Sequence, residues 1–213
     1  MKNLEIKLAQ ELIKFPTIQS ENKEKIVRFL SKKLSSLGFK CVGIGSKSDL
    51  NLYARYGKSK PNLLALAHSD TVDNLSNWKY PPFSAKIKNG YLYGRGAQDL
   101  KGALACWISA VSKFIKSKKF KGSLSIIVAA DEETSGLGTP AVLRYLKKKK
   151  EKIDFAITVE PTSRLMVADE IRIGRRGSMN AKLKVIGKSG HSAFYGSYIN
   201  PCTTLARTIA KLK

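Results

Sequence analysis

Three apolar segments constrain the fold of this chain more than any other feature. They cover residues 62–68 (NLLALAH), 123–130 (SLSIIVAA) and 154–160 (DFAITVE). None of them alternates apolar with polar residues, which is typical of strands buried on both faces. Helical patterns over 100–118 and 139–150 separate these strands. Strand–helix–strand alternation predicts an α/β fold, with helices on both faces of an open, mostly parallel sheet.

The remaining elements of the first part of the chain are predicted from periodicity and from one turn. Apolar residues at helical spacing predict helices over 3–15 and 21–37. Within 83–93 an Asn-Gly pair separates two short runs of strand-forming residues. Asn-Gly in that position predicts a β-hairpin with a two-residue turn.

The net charge of the chain is large, but it excludes few classes of function. The 213 residues include 39 Lys and Arg against 16 Asp and Glu, a formal net charge of +23. Most of the basic residues are lysines spread along the chain, which is typical of a solvated surface, whereas sequence-specific nucleic-acid readers favour arginine. We expect no specific nucleic-acid partner. The lysine run 147–150 leaves a phosphate-binding patch open as an alternative to a solvated helix end.

The cellular location is predicted from targeting features that the sequence lacks. No apolar run approaches the roughly 20 residues of a membrane-spanning helix, and the N-terminal residues lack the apolar core of a signal peptide. Cys41, Cys106 and Cys202 are isolated and odd in number, which argues against a disulfide framework. We therefore expect a cytoplasmic protein with no membrane partner.

Chemically active side chains follow the predicted strands where each strand ends. The first strand runs into His68 and Asp70, the second into the acids 131–133, and the third into Glu160. Asp99 stands just before a predicted helix. The carboxyl ends of parallel strands meet at one edge of a sheet, so these residues are predicted to lie close together. So many carboxylates would repel one another unless a cation is bound, and mixed His and carboxylate ligands suit zinc or a similar ion.

Taken singly, each of these residues also has an ordinary explanation. Asp99 fits a helix N-cap, and Glu132 and Glu133 fit solvated loop acids. His68 fits a strand-end histidine, and Glu160 precedes a proline in what could be an ordinary loop. The joint arrangement favours the metal centre over the separate explanations.

Six segments of the chain resemble the zinc-dependent amidohydrolase family of succinyl-diaminopimelate desuccinylase, acetylornithine deacetylase and related aminoacylases and carboxypeptidases. They are NLYARYG (51–57), HSDTVD (68–73), WKYPPFSAKIKNGYLYGRGAQDLKG (78–102), DEETSG (131–136), VEPTS (159–163) and GRRGSMNAKLKVIGKSGHSA (174–193). The resemblance implies hydrolysis of an amide bond in a small N-acyl amino acid or dipeptide. Several segments favour the desuccinylase branch, while deacetylase, dipeptidase and carboxypeptidase activities stay alternatives.

The resemblance also implies a site with two zinc ions, which cobalt or manganese can replace. Four residues match the family's metal ligands: His68, Asp99, Glu133 and Glu160. In this assignment Asp99 bridges the two ions, His68 and Glu160 bind the first, and Glu133 binds the second.

Catalytic and substrate-binding roles follow from the same resemblance. Glu132 matches the general base, and Asp70 matches the residue that orients the ligating histidine. His191 matches a lid histidine that reaches a partner subunit's active site in the relatives. Arg175 and Arg176 are candidates for binding a substrate carboxylate, with a structural ion pair as the alternative.

The resemblance divides the chain into the N-terminal part of a catalytic metal-binding domain, 1–175, and the beginning of a lid or dimerisation domain, 176–213. Alternation over 178–185 (SMNAKLKV) predicts a half-buried strand, and Asn200-Pro201 predicts a helix start. One strand and one helix cannot bury a core. The relatives continue with the rest of a lid that forms a homodimer and with the last histidine ligand.

We therefore expect a truncated chain with weak or absent activity alone. The alternative from another class is a basic polyanion-binding or interaction protein that keeps a vestigial metal site.

Overall fold

The structure is a computed structural model that describes residues 3–18, 22–73, 77–117 and 120–212. The chain forms two compact units, of which one extends to Glu170 and the other begins at Ile171. The assignment of 1–175 to a catalytic domain and of 176–213 to a lid stays a prediction.

The first unit contains the predicted helices and strands, with somewhat different bounds. Its helices are α1 (Leu4–Ile13), α2 (Lys23–Ser35), α3 (Gly102–Lys116) and α4 (Gly138–Lys148). Its strands are β1 (Lys40–Ile44), β2 (Asn51–Tyr56), β3 (Asn62–His68), β4 (Lys86–Lys88), β5 (Tyr91–Tyr93), β6 (Ser123–Ala129) and β7 (Phe155–Thr158). A π-helical turn, Ala97–Lys101, precedes α3. Residues 21 and 118 of the predicted helices lie outside the described part of the chain.

Five strands form one sheet in the order β1-β2-β6-β3-β7. β3 is parallel to both of its neighbours, so that His68 pairs with Ala129 of β6 and Leu66 pairs with Thr158 of β7. β2 is antiparallel to β1 and to β6, and it is the reversed strand of this sheet. The predicted α/β class is confirmed, and the ends of β3, β6 and β7 meet at one edge.

Helices cover both faces of the sheet, as predicted. The larger core joins α1, α2 and α3 to one face and includes Ile126 of β6. The smaller core lies under α4, where Val142 and Leu146 pack against Ile127. Consecutive residues of a strand point to opposite faces. Because both faces of β6 are covered, every residue of this strand is buried, which explains the unbroken apolar run in its sequence.

The hairpin predicted from Asn-Gly is confirmed by β4 and β5, which pair antiparallel across the turn. Asn89 has φ 52° and Gly90 has φ 79°. A tight turn of the hairpin type needs positive φ at both central residues, and Asn and Gly adopt it most readily.

β7 differs from its prediction. The sequence predicts a strand buried on both faces, but β7 is an edge strand, which within the described residues pairs with β3, and all four of its residues are exposed. Phe155 is 62% exposed and Ile157 is 43% exposed. The prediction of burial is wrong because apolar composition does not reveal where in a sheet a strand lies.

The second unit has little regular structure within its described residues. Its helix is α5 (Pro201–Ile209), which begins as predicted, because the Oδ1 atom of Asn200 accepts the N–H groups of Cys202 (2.9 Å) and Thr203 (3.3 Å). The strand predicted over 178–185 is wrong, since this segment forms no strand and Met179 is 91% exposed. Alternation produces a strand only where a partner strand is available.

None of the helices described by the structure has both the length and the apolar character needed to cross a membrane.

Candidate metal centre

His68 lies at the end of β3 with both ring nitrogens facing carboxyl groups. The residue is 2% exposed. Its Nε2 atom is 3.0 Å from Oδ1 of Asp99 and 3.8 Å from Oε1 of Glu160. Its Nδ1 atom is 3.4 Å from Oδ1 of Asp70 and 3.1 Å from the backbone oxygen of Asp70. One nitrogen is thus held by Asp70 while the other points at potential metal ligands, as in histidines that bind metals.

Asp70 connects the end of β3 to the loop after β6. Its Oδ1 atom accepts the N–H of Glu132 at 3.2 Å, and its Oδ2 atom accepts the N–H of Glu133 at 3.1 Å. The carboxylate that orients His68 therefore also fixes the backbone of both glutamates. Backbone N–H groups leave no trace in a sequence pattern, so this second role of Asp70 is found only in the structure.

The loop that follows β3 is anchored to the polypeptide between α1 and α2. Thr17 is fully buried; its hydroxyl donates to the backbone oxygen of Ser69 at 2.6 Å, and its own carbonyl accepts the N–H of Thr71 at 3.3 Å. Ser69 also donates its N–H to Ala129 of β6 at 2.8 Å. These bonds hold the backbone on both sides of Asp70.

Asp99 lies in the π-helical turn and not at the cap of α3. Its backbone is non-helical (φ −120°, ψ 96°), and the peptide bond that joins it to Leu100 is cis. The N-cap of α3 is Lys101, so the helix-cap explanation of Asp99 is wrong. An added Cβ at Gly102 would lie 2.2 Å from the backbone oxygen of Ala97. Glycine at this position therefore lets the turn close behind Asp99.

The structure brings five predicted site residues within reach of one metal ion or of two neighbouring metal ions. His68 groups with Asp99 and Glu160, and it also groups with Glu132 and Glu133. In each group the potential ligand atoms lie within 4.8 Å of one another. One imidazole and several carboxylates are a donor set that fits a divalent transition ion.

The pKa values of these groups reflect the number of carboxylates that surround His68. Burial opposes protonation of His68, but the hydrogen bond with Asp70 and the charges of the surrounding carboxylates outweigh it and raise the pKa of the imidazole to about 9. Burial likewise opposes ionisation of Asp70, whose pKa is nevertheless lowered, mainly by His68. Burial, followed by the charge of Asp99, raises the pKa of Glu133. The site therefore favours a bound cation, whether a proton on His68 or a metal ion.

Lys101 is a buried residue that the sequence pattern does not mark. It is 0% exposed, and its Nζ atom donates to the backbone oxygen of Phe15 at 2.7 Å. Burial lowers the pKa of Lys101 to about 7, and the charge of Asp70 opposes this effect. A single lysine beside Leu100 and Gly102 gives no indication of burial, because surface helices carry the same combination.

The three remaining predicted residues belong to the second unit. His191 is exposed, and its Nδ1 atom accepts the N–H of Ala193 at 3.2 Å. Arg175 and Arg176 are exposed as well. Their predicted roles stay predictions.

Curated proteins similar to this chain carry the name of an enzyme that its motifs resemble. The succinyl-diaminopimelate desuccinylase of Pelagibacter ubique (strain HTCC1062) is 44% identical over 98% of this chain and 56% of its own length. The protein of the same name from Legionella pneumophila (strain Corby) is 39% identical over 95% of this chain and 55% of its own length. The chain thus spans about half the length of the curated relatives it matches.

Two solved structures that share the fold are peptidases. An M20 family metallo-carboxypeptidase from Sulfolobus solfataricus is 28% identical, with a TM-score of 0.63 over 72% of this chain and 36% of its own. A tripeptidase from Staphylococcus aureus is 18% identical and shares the fold, with a TM-score of 0.68 over 99% of this chain and 56% of its own.

The family model described as peptidase family M20/M25/M40 matches residues 64–210. That range contains His68 at the end of β3, the π-helical turn and the loop after β6, together with Asp70, Asp99 and Glu160, which face His68. A match of this extent, together with relatives that agree over nearly the whole chain, shows that the chain belongs to peptidase family M20/M25/M40.

Proposed function

We propose that this chain acts in the metal-dependent hydrolysis of an amide bond in an N-acyl amino acid, with N-succinyl-diaminopimelate as the substrate. The observation that carries the proposal is the buried His68, held by Asp70 on one nitrogen and faced by Asp99 and Glu160 on the other. The choice of substrate is supported by the 44% identity to a succinyl-diaminopimelate desuccinylase.

In this proposal four residues hold two zinc ions. His68 and Glu160 would hold one ion, Glu133 would hold the other, and Asp99 would contribute its carboxylate to both. When bound, such ions would supply a Lewis acid for the amide carbonyl and would lower the pKa of the attacking water. Asp70 keeps a proton on Nδ1 of His68, so that the lone pair of Nε2 is available to a metal.

Glu132 is proposed as the general base. Its carboxylate accepts a proton from the water that attacks the amide carbonyl and delivers this proton to the amine nitrogen as the carbon–nitrogen bond breaks. The products are succinate and the free amino acid. The bond from the N–H of Glu132 to Asp70 supports this role, because it fixes the backbone from which the carboxylate extends.

The second unit contributes to the proposal through the family resemblance alone. We assign His191 to a homodimer in which it reaches the partner's active site, and Arg175 and Arg176 to a substrate carboxylate. A cytoplasmic location belongs to the same proposal.

The experiment that tests the function is a substrate panel with the purified, zinc-loaded chain. N-succinyl-diaminopimelate, acetylornithine and a dipeptide are compared, alone and after addition of the part of the Pelagibacter desuccinylase that this chain does not match. We expect zinc-dependent release of succinate, weak alone and stronger with the added part, and its loss in Glu132→Gln. Preferred hydrolysis of acetylornithine or of the dipeptide would contradict the substrate, and no hydrolysis under either condition would contradict the function.

A further inference from the structure

The loop that carries Glu132 and Glu133 has a second anchor besides Asp70, and this anchor is Asp131. Asp131 is 5% exposed, and its side chain binds the beginning of α4. Its Oδ2 atom accepts the N–H of Leu137 at 2.9 Å, and its Oδ1 atom accepts the N–H of Gly138 at 2.8 Å. A buried carboxylate with such N–H partners at the beginning of a helix is a strong, charge-assisted contact.

The rest of Asp131 closes the loop around the two glutamates. The hydroxyl of Ser135 donates to Oδ2 of Asp131. The backbone oxygen of Asp131 accepts the N–H of Gly136 at 2.8 Å and that of Thr134 at 3.3 Å. All of these contacts of Asp131 lie within residues 131–138, so a change at Asp131 acts first on the segment that contains Glu132 and Glu133.

Asn51 ties the same loop to the sheet. It is 2% exposed; its Oδ1 atom accepts the N–H of Ala130 at 2.9 Å, and its amide group donates to the backbone oxygens of Ile44 and Asp49. An added Cβ at Gly138 would lie 2.2 Å from Oδ1 of Asn51 and 2.4 Å from Oδ1 of Asp131. Glycine is therefore required where α4 meets these two side chains. Together Asn51, Asp131, Ser135 and Gly138 form one polar cluster, here called the Asp131 cluster.

We propose that the Asp131 cluster positions Glu132 and Glu133 and thereby sets the metal affinity of the site, although Asp131 is not one of the four proposed ligands. Asp70 holds the N–H groups of the two glutamates, and Asp131 holds the backbone on both sides of them. Without Asp131 the loop would sample conformations in which Glu133 is turned away from His68. Loss of such outer contacts lowers metal affinity by about 10- to 100-fold in comparable sites. The inference rests on the proposed function only in assigning Glu133 to a metal.

The test compares Asp131→Asn with a matched control, Asp154→Asn, in the full chain. Asp154 also accepts a backbone N–H, from Asn62 at 2.8 Å, but it lies at the opposite ends of the parallel strands, where β3 and β7 begin. Zinc affinity is measured by competition with a chromophoric chelator, and stability is measured by urea unfolding of the metal-free proteins. A merely structural role would lower stability in both variants and would leave their zinc affinities alike.

We expect Asp131→Asn to weaken zinc binding at least ~10-fold and Asp154→Asn to change it by less than ~2-fold. Affinities within ~2-fold of the unaltered chain for both variants would overturn the inference and leave the proposed function intact. If Asp131→Asn does not fold, Ser135→Ala removes one donor from the same carboxylate, and a loss of ~3-fold or more is expected, while an unchanged affinity would overturn the inference. Failure of the unaltered chain to bind zinc would overturn both the inference and the proposed function.

Discussion

The imidazole of His68 lies 3.0 Å from the carboxylate of Asp99, although the two residues are separated by 31 positions in the chain. His68 ends a strand of the sheet, and Asp99 lies in a turn of π-helical geometry before α3. Asp99 is the residue at which this turn departs from helical geometry.

Asp70→Asn is expected to weaken zinc binding by about 10- to 100-fold. The carboxylate uses one oxygen for the N–H of Glu132 and the other for that of Glu133. An amide has only one oxygen, so its NH₂ group would face an N–H donor and leave it without an acceptor. Competition with a chelator measures the effect, and Asp73→Asn, which removes a nearby exposed carboxylate, serves as the control. Equal losses in both variants would show that net charge matters and that the contacts of Asp70 do not.

Zinc affinity is expected to rise with pH across the neutral range. In the metal-free site the pKa of His68 is raised to about 9, so a proton must leave the imidazole before a metal can bind to it. Affinity should therefore increase by up to about tenfold per pH unit between about pH 6.5 and pH 8.5, with release of about one proton per zinc ion bound. Calorimetric titration in two buffers of different ionisation enthalpy measures the proton release. An affinity that does not change over this range would be inconsistent with a protonated His68.

The metal-free chain should have two opposing contributions to stability above pH 7. His68 has a raised pKa, so its contribution is complete below about pH 6.5 and is lost as the pH rises through about 9. Lys101 has a pKa lowered to about 7, so its burial is most unfavourable below pH 7 and less so as the pH rises toward 10.5. The two slopes, each at most ~1.4 kcal/mol per pH unit, oppose each other between pH 7 and pH 9.

Lys101→Met separates these two contributions. This variant removes the rise due to the lysine, so its unfolding free energy should fall between pH 7 and pH 9 while that of the unaltered chain changes little. Urea unfolding of the metal-free proteins at several pH values provides the measurement. Parallel pH profiles for the two proteins would mean that Lys101 does not titrate in this range.

Gly102→Ala is expected to disturb the turn that carries Asp99. The added methyl group would meet the backbone oxygen of Ala97, and overpacking of this kind destabilises by ~1–3 kcal/mol. Zinc affinity should fall together with stability because the turn positions Asp99. Gly174→Ala is the control, since nothing lies within 4 Å of a Cβ added there. Normal zinc affinity in Gly102→Ala would show that the turn tolerates the change without moving Asp99.

Much of the fold could be predicted from the sequence because several of its strands are continuous apolar runs. The apolar runs that became β3 and β6 predicted strands covered on both faces, and Asn89-Gly90 predicted the hairpin. Edge position was not accessible, since β7 has the same apolar character as β6 and yet is exposed. The alternation over 178–185 predicted a strand that does not form, because pairing depends on a partner that local sequence does not specify.

The residues of the candidate site could be predicted from the sequence, but the contacts between them could not. The positions at the strand ends predicted that His68 and the carboxylates gather at one edge. The bonds from Asp70 to the N–H groups of Glu132 and Glu133 involve backbone atoms, which every residue has. The burial of Lys101 and of Thr17 depends on how the segment between α1 and α2 packs against the π-helical turn and the loop after β3, and no short motif encodes such packing.

The proposed function depends on a metal centre built from His68, Asp99, Glu133 and Glu160. The most direct measurement is the zinc affinity and stoichiometry of the purified chain beside those of Asp99→Ala, with Asp73→Ala as the control for charge and with circular dichroism to verify the fold. We expect zinc binding by the unaltered chain and by Asp73→Ala, and a loss of affinity of at least ~10-fold in Asp99→Ala. A folded chain that binds no zinc, or an Asp99→Ala variant that binds it equally well, would contradict the proposed metal centre.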